Sequence, residues 1–384
     1  MTFADELAAL NEWHFFREFT YSRNNFRPAP GQEVELEDSL IWLGDLLIAF
    51  QLKERELVPG ASAETEKRWF ERKVLRQATR QVRDTLGYLN VTKSIEVQNH
   101  RNHTFGLEFD AVRQLHKLVI YLPQEPLPEE YRRIKYHRSR TAGVIHIISS
   151  QEYLGIVRTL LTPAEVAEYL SFREELIDHW ENEILAVPES ALVGQYLHGN
   201  IDVPPSLKHL EHLRRLEHRA EEWDMSGVIA KFPDRVTTNN APTDYYPIVR
   251  ELASLKRNEL REFKRRFELS IEKARSDVFV LPYRIAIPRT GCGFVFIPLT
   301  KDVLQHRRAG LVNFTLAHKS DQRLSKCVGV SIADDTQGWF TAEWFYVEFP
   351  WQVDAEMEHL LRTNHPFRDV KESELPRYTF RETP

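Results

Sequence analysis

Three chemistry-bearing side chains stand at fixed offsets from a Gly-Asp pair: Asp38, Gln51 and Lys53, around Gly44 and Asp45 in VELEDSLIWLGDLLIAFQLKERE. A Gly-X pair suits a two-residue hairpin loop, because glycine accepts a positive φ at the first central position. With Gly44 and Asp45 as the loop, Leu43 faces Leu46, Trp42 faces Leu47, Leu40 faces Ala49 and Asp38 faces Gln51. Opposed residues project from one face of a sheet, and Lys53, two residues beyond Gln51, shares that face. A one-residue slip would scatter the three, so the arrangement is a sharp expectation.

An acid, an amide oxygen and an ammonium gathered at one end of an apolar hairpin suit phosphodiester hydrolysis assisted by a hard divalent ion. Such an ion takes oxygen ligands and keeps several waters. Asp38 is the expected anionic ligand of Mg²⁺ or Mn²⁺, with the Gln51 side-chain oxygen and the Leu52 main-chain carbonyl completing the protein share. Lys53 would orient or help deprotonate the attacking water and stabilise charge building on phosphate. Glu35, three residues before Asp38, is placed to reach a second metal or a metal-bound water.

Positioning these groups requires the surrounding elements. Periodicity predicts a helix over 3–19 with Leu7, Leu10, Trp13 and Phe16 inward. A long amphipathic helix follows the hairpin over 64–89, burying Trp69, Val74, Ala78, Val82 and Leu86. Short strands are predicted at 95–98, 105–109, 117–122 and 143–148. The sum is a mixed α/β unit over residues 1–155. Thr162 caps a further helix with Pro163 in its first turn, and a helical connecting or oligomerisation region spans 156–275. From Asp277 onward DVFVLPYRIAIP, GFVFIPLT, GLVNFTLAHK, CVGVSIAD and WFTAEWFYVEF read as strands, giving a β-rich C-terminal domain over 276–384.

Residues 35–53, E-L-E-D, then twelve residues, then Q-L-K, resemble the core of the PD-(D/E)xK nuclease superfamily, in the branch with Q-x-K as in Mrr-like restriction enzymes. The hairpin and the helix carrying RQATRQ at 76–81 extend the resemblance over about 1–155. It implies an α/β, restriction-endonuclease-like mixed sheet flanked by helices. It also implies a metal-dependent endonuclease with nucleic acid as partner, DNA favoured, in a setting of antiphage defence. Gln77 and Gln81 would support the site or a phosphate. The chain departs from the pattern in three places. Glu37 precedes Asp38 where proline is usual, Gln51 replaces a carboxylate, and Gln81 stands four residues after Gln77 where RecB-like exonucleases carry tyrosine. A non-catalytic module that binds nucleic acid or a partner protein on the same fold is the alternative.

The 384 residues carry a net charge of −6, so the whole-chain basic field of a nonspecific nucleic-acid binder is absent; an acidic metal site inside a local basic groove is compatible with that total. Two cysteines, Cys292 and Cys327, exclude a disulfide framework and a four-thiolate zinc site, and fit a reducing cytoplasm. The acidic N-terminus does not read as a secretory signal, and no apolar run is long enough for a membrane helix. His209 and His212 read as a solvated helix face. The charged segment 246–275 has an apolar stripe of Leu255, Leu260, Phe263 and Phe267, which predicts cover from another helix or a second copy. A homo-oligomer, most simply a dimer built through residues after about 160, is therefore expected, with the tail as sensor for a ligand or partner protein. Arg261, Lys264, Arg265 and Arg266 leave a nucleic-acid clamp as the other reading of that segment. The aromatics Trp339, Phe340, Trp344, Phe345, Tyr346 and Trp351 are expected in core, and Cys292 as a buried thiol.

Overall fold

The computed structural model describes residues 3–22, 25–29, 32–35, 38–56, 59–124, 126–235, 241–335, 339–368, 374 and 376–382; the side chains of 22, 25–29, 32–35 and 235 lie outside that description. The chain forms two compact units, 1–217 with 380–384, and 218–379. The region expected as a helical connector, 156–275, is thus shared between them. The crossing points are adjacent in the first unit: Leu216 bridges Phe380, and the Arg381 N–H donates to the Arg215 carbonyl at 2.9 Å.

The first unit opens with α1 (Phe3–Phe15), β1 (Thr20–Ser22) and a ribbon of β2 (Asn25–Ala29) with β3 (Gln32–Glu35). The helix ends earlier than predicted and its buried face is shifted: Phe3, Leu7, Asn11, His14 and Phe15 point inward, Leu10 and Phe16 are half-buried, and Trp13 is exposed. A buried Asn and His on this face hid its phase. The hairpin forms in the expected register. β4 (Ser39–Leu43) pairs antiparallel with β5 (Leu46–Glu54), Leu43 opposite Leu46, Leu40 opposite Ala49 and Ser39 opposite Phe50. Gly44 opens the turn with a φ of 65°, where a side chain would be strained.

After β5 a continuous helix comprises α2 (Ala63–Trp69), a π-helical stretch (Phe70–Ala78) and α3 (Thr79–Thr92). Ser62 caps it by accepting from the Thr65 N–H. Its buried stripe is Glu66, Phe70, Val74, Ala78, Val82 and Leu86, a strict four-residue spacing. An α-helix turns about 100° per residue, so that spacing drifts about 40° at each step. The wider π turns advance less per residue and wind the stripe back onto one face. Phe70 therefore takes the buried place expected of Trp69, which is half-buried.

The ribbon β6 (Ser94–Gln98) with β7 (Thr104–Glu108) leads into β8 (Gln114–Leu122), α4 (Glu129–Arg132), β9 (Tyr136–Ser139) and β10 (Gly143–Ser149). The resulting six-stranded mixed sheet has the order β1-β4-β5-β8-β10-β9. β5, β8 and β10 are parallel neighbours, which requires crossover connections; the long helix lies in the first. Leu47, Ala49, Val119, Tyr121, Ile145 and Ile147 pack with Phe70, Val74, Ala78 and Val82 in one core cluster. The other face meets α5 (Ser150–Thr159) and α6 (Pro163–His179), followed by α7 (Glu189–His198) and α8 (Leu210–Arg215). Thr162 and Pro163 start α6 as the sequence predicts.

The second unit contains α9 (Ala220–Trp223), α10 (Ser226–Ile229), α11 (Phe232–Arg235), α12 (Tyr246–Ala253), α13 (Arg257–Arg275), β11 (Tyr283–Ile287), β12 (Cys292–Leu299), α14 (Arg307–Asp321), β13 (Lys326–Asp334), β14 (Phe340–Glu348) and α15 (Ala355–Thr363). Residues 310–319, read from sequence as a strand, lie in helix α14, so this unit is α/β and not simply β-rich. Topology explains the correction: β12 and β13 are parallel neighbours, and a crossover must join them. The helix sits so close to β13 that a Cβ on Gly329 would lie 2.0 Å from Thr315 Oγ1.

The apolar stripe of α13 is covered inside this unit. Phe263 meets Phe294 and Phe296 edge-on, and Phe267 meets Phe340 and Trp344. It therefore gives no argument for a second copy. The α13 cations are matched by acids: Arg265 and Arg266 with Glu262, Lys264 with Glu268, Arg261 with Glu222. Cys292 is buried, and burial pushes its thiol well up. No helix among the described residues is long and apolar enough to cross a membrane.

Candidate functional site

Asp38 immediately precedes β4, and Gln51 and Lys53 lie near the end of β5, where the hairpin register brings them together. Asp38 Oδ2 accepts the Leu52 N–H at 2.5 Å. Lys53 Nζ donates to Gln51 Oε1 at 3.0 Å and to the Leu52 carbonyl at 2.8 Å. The same ammonium stands 3.7 Å from Asp38 Oδ2. Gln51 is buried, and Lys53 and Asp38 are half-buried. The arrangement is anchored by the sheet, since Gln51 pairs with Val119 and Lys53 with Tyr121 of the central β8.

Three oxygens of different kinds, carboxylate, amide and main-chain carbonyl, thus converge on one point, and a positive charge sits there. This is a donor set suited to a hard cation, which commonly takes one or two carboxylates and completes its sphere with waters and substrate phosphate. A divalent ion would have to displace the Lys53 ammonium. Glu35 ends β3 with its backbone opposite Asn25; its side chain lies outside the described residues. Gln77 accepts from Lys73 Nζ at 3.0 Å and lines a cleft with Arg72, Arg76, Arg80 and Arg83. Gln81 Oε1 is buried without a hydrogen-bond partner among the described residues.

A second polar cluster escaped sequence reasoning. His116, His146 and Glu174 bring ligand-type atoms within 4.8 Å of one another on the opposite face of the sheet. The available signal was a histidine inside each of two apolar strands, QLHKLVIYL and GVIHIIS. The Arg173 guanidinium lies 2.8 Å from His146 Nδ1. A guanidinium only donates, so Nδ1 accepts and the proton of the neutral ring is on Nε2. Arg173 thus occupies Nδ1, while His146 Nε2 and both ring nitrogens of His116 are buried without a hydrogen-bond partner among the described residues. Arg173 is fully buried and also donates to both oxygens of Glu189, at 2.7 and 3.2 Å. Burial alone would raise the Glu189 carboxyl, but Arg173 and Lys135 hold it down at about 2.

Burial also lowers His14 and His116 to about 4, with Lys117 adding to the effect at His116. In the unfolded chain both would titrate near 6.5. Their folded values are depressed, so the stability they contribute is present above pH 6.5 and is lost as pH falls toward 4. At pH 5 the loss is about 2 kcal/mol for each. Urea unfolding followed by a probe in the first unit should show a markedly lower midpoint at pH 5 than at pH 7. An unchanged midpoint would contradict burial of these two rings in the neutral form.

No protein-family model, no curated protein and no solved structure matches this chain.

Proposed function

We propose that Asp38, Gln51, the Leu52 carbonyl and Lys53 form the centre of a metal-dependent nuclease, with DNA the first substrate to consider and Mg²⁺ or Mn²⁺ as cofactor. The observation that carries this reading is the convergence of three oxygens on the Lys53 ammonium at the end of the hairpin. The order of α1, the β4–β5 hairpin, the long helix and the parallel β8 supports a restriction-endonuclease-like core. When bound by Asp38, Gln51 and the Leu52 carbonyl, the ion would neutralise charge on phosphate and acidify water.

The chain's own groups divide the remaining work. Asp38 holds the Leu52 N–H and so fixes the carbonyl of that residue at the site. Lys53, released from the oxygen cradle, directs Nζ at the phosphate and the attacking water, stabilising negative charge as it develops. Cutting both strands of a duplex needs two such centres, which a two-fold dimer would supply. Defence against foreign DNA and a cytoplasmic setting complete the proposal. The Lys53 ammonium already filling the cradle favours a second reading, a non-catalytic module that binds nucleic acid or a protein.

The deciding experiment incubates the full chain with plasmid, linear duplex and single-stranded DNA and with RNA, in Mg²⁺, in Mn²⁺ and in EDTA. Cleavage that needs the metal and vanishes in EDTA is expected. Intact substrates under every metal condition would leave the non-catalytic reading standing and overturn the first.

A further inference from the structure

The long helix presents a second chemistry on the side opposite its buried stripe. Arg72, Arg76, Arg80 and Arg83 are all exposed and line a cleft of about 520 Å³ with Leu75, Gln77, Thr79 and the β9 residue His137. Arg80 lies 3.9 Å from Asp84 across an exposed i,i+4 contact, which screening by water leaves weak. Arg72, Arg76 and Arg83 make no ion pair among the described residues. This contrasts with Arg261, Arg265 and Arg266 of α13, each of which meets a glutamate. In a chain of net charge −6, gathering four guanidiniums in a concavity with so little acid beside them costs self-repulsion, which an anionic ligand would relieve. His137 senses the same field: burial, and then the Arg83 guanidinium, lower its ring below the ordinary value.

We propose that this cleft binds the sugar-phosphate backbone of a nucleic-acid strand. The length of the row decides between a strand and a small anion. From position 72 to 83 a helix rises on the order of 15 Å, too far for one phosphate group. A strand carries a phosphate every 3.4 Å or so along its axis, so the row faces several in succession. Guanidinium forks match phosphate oxygens in bidentate geometry. The platform is rigid, because the same turns bury Phe70, Val74, Ala78 and Val82 in the core. It is also tied to the end of β5: Arg55 Nε donates to the buried Glu66 at 2.9 Å, joining the exit of the Lys53 strand to the start of this helix. The inference deepens the nuclease reading by naming where its substrate's backbone would lie, and it can be tested apart from hydrolysis.

Binding of fluorescein-labelled single-stranded DNA, duplex DNA and single-stranded RNA is measured with the full chain in EDTA, so that no metal-dependent cleavage contributes, across a salt titration. For Arg76→Glu/Arg83→Glu we expect at least a tenfold weaker Kd and a shallower dependence of log K on log salt by about 2, the scale of two lost phosphate contacts. Arg76→Lys/Arg83→Lys keeps the charge and should keep most of the slope. All four arginines are exposed, so circular dichroism should be unchanged. A Kd unaffected by the glutamate pair overturns the inference, as does an absence of binding by the native chain, or capture of inorganic polyphosphate without capture of any strand. Loss of binding in the glutamate pair, in a protein whose native form never cleaves, keeps the cleft and removes hydrolysis. Metal-dependent cleavage with binding indifferent to the cleft does the reverse.

Discussion

Replacing Asp38 with asparagine should reduce metal-dependent cleavage by on the order of 10³-fold or more, the scale seen when a charge-stabilising group at a reacting centre is removed. Asparagine is the informative choice because its carbonyl oxygen can still accept the Leu52 N–H that Asp38 holds. Alanine would leave that part-buried donor without its partner, at a cost of about 1–3 kcal/mol, and would mix a folding defect into the result. Lys53→Ala should behave differently. It removes the cation that competes for the Gln51 and Leu52 oxygens, so Mn²⁺ should bind more tightly while cleavage falls. Gln51→Glu adds a second carboxylate to the cradle and should keep activity and tighten metal use. Isothermal titration with Mn²⁺ beside a plasmid-nicking assay reads both quantities. Native cleavage rates in both Asp38→Asn and Lys53→Ala would remove the site.

That site was legible in the sequence because two strong local rules agree there. Unbroken apolar runs, Leu40–Leu43 and Leu46–Phe50, flank a Gly-Asp pair, and the count outward from the turn fixes which side chains meet. The histidine layer was not legible. His116 and His146 sit in strands whose other positions are apolar, and nothing local says that Arg173, from a distant helix, caps one ring. Residues 310–319 failed for a related reason: LVNFTL has the β-branched and aromatic content of a strand, and only the parallel pairing of β12 with β13 makes a helix necessary. The arginine cleft lay between the two cases. Its residues were visible within a polar helix face, but the closing contribution of His137 depends on β9, a four-residue edge strand.

Glu189→Ala is expected to destabilise the first unit by about 3–5 kcal/mol, because it strips the partner from a fully buried guanidinium. Arg173 would keep the Lys135 carbonyl and the His146 ring, which are neutral acceptors, and Lys135 would lose its 3.3 Å contact with the same carboxylate. Tyr169, whose hydroxyl donates to Glu189 at 2.5 Å, would lose its acceptor as well. For a unit of this size such a loss lowers Tm by roughly 10 °C or more. The double replacement Arg173→Met/Glu189→Leu should be less damaging than Glu189→Ala, since a paired buried charge is exchanged for apolar contact instead of being halved. Calorimetry checks both variants. If Glu189→Ala melts within a degree or two of the native chain, the buried network does not contribute as its geometry implies.

The bridge between Leu216 and Phe380, with Arg381 bonded to Arg215, makes the second unit a guest within the chain of a host. During synthesis residues 380–382 leave the ribosome after 218–379, so the contacts of Phe380 with Leu216 and of Arg381 with Arg215 form only once the guest has been made. The converse concerns excision. Both ends of the guest depart from neighbouring points, so residues 218–379 form a natural cassette that a short linker could replace. Cutting the chain anywhere between them would instead leave Phe380 and Arg381 held to the host by noncovalent contacts alone.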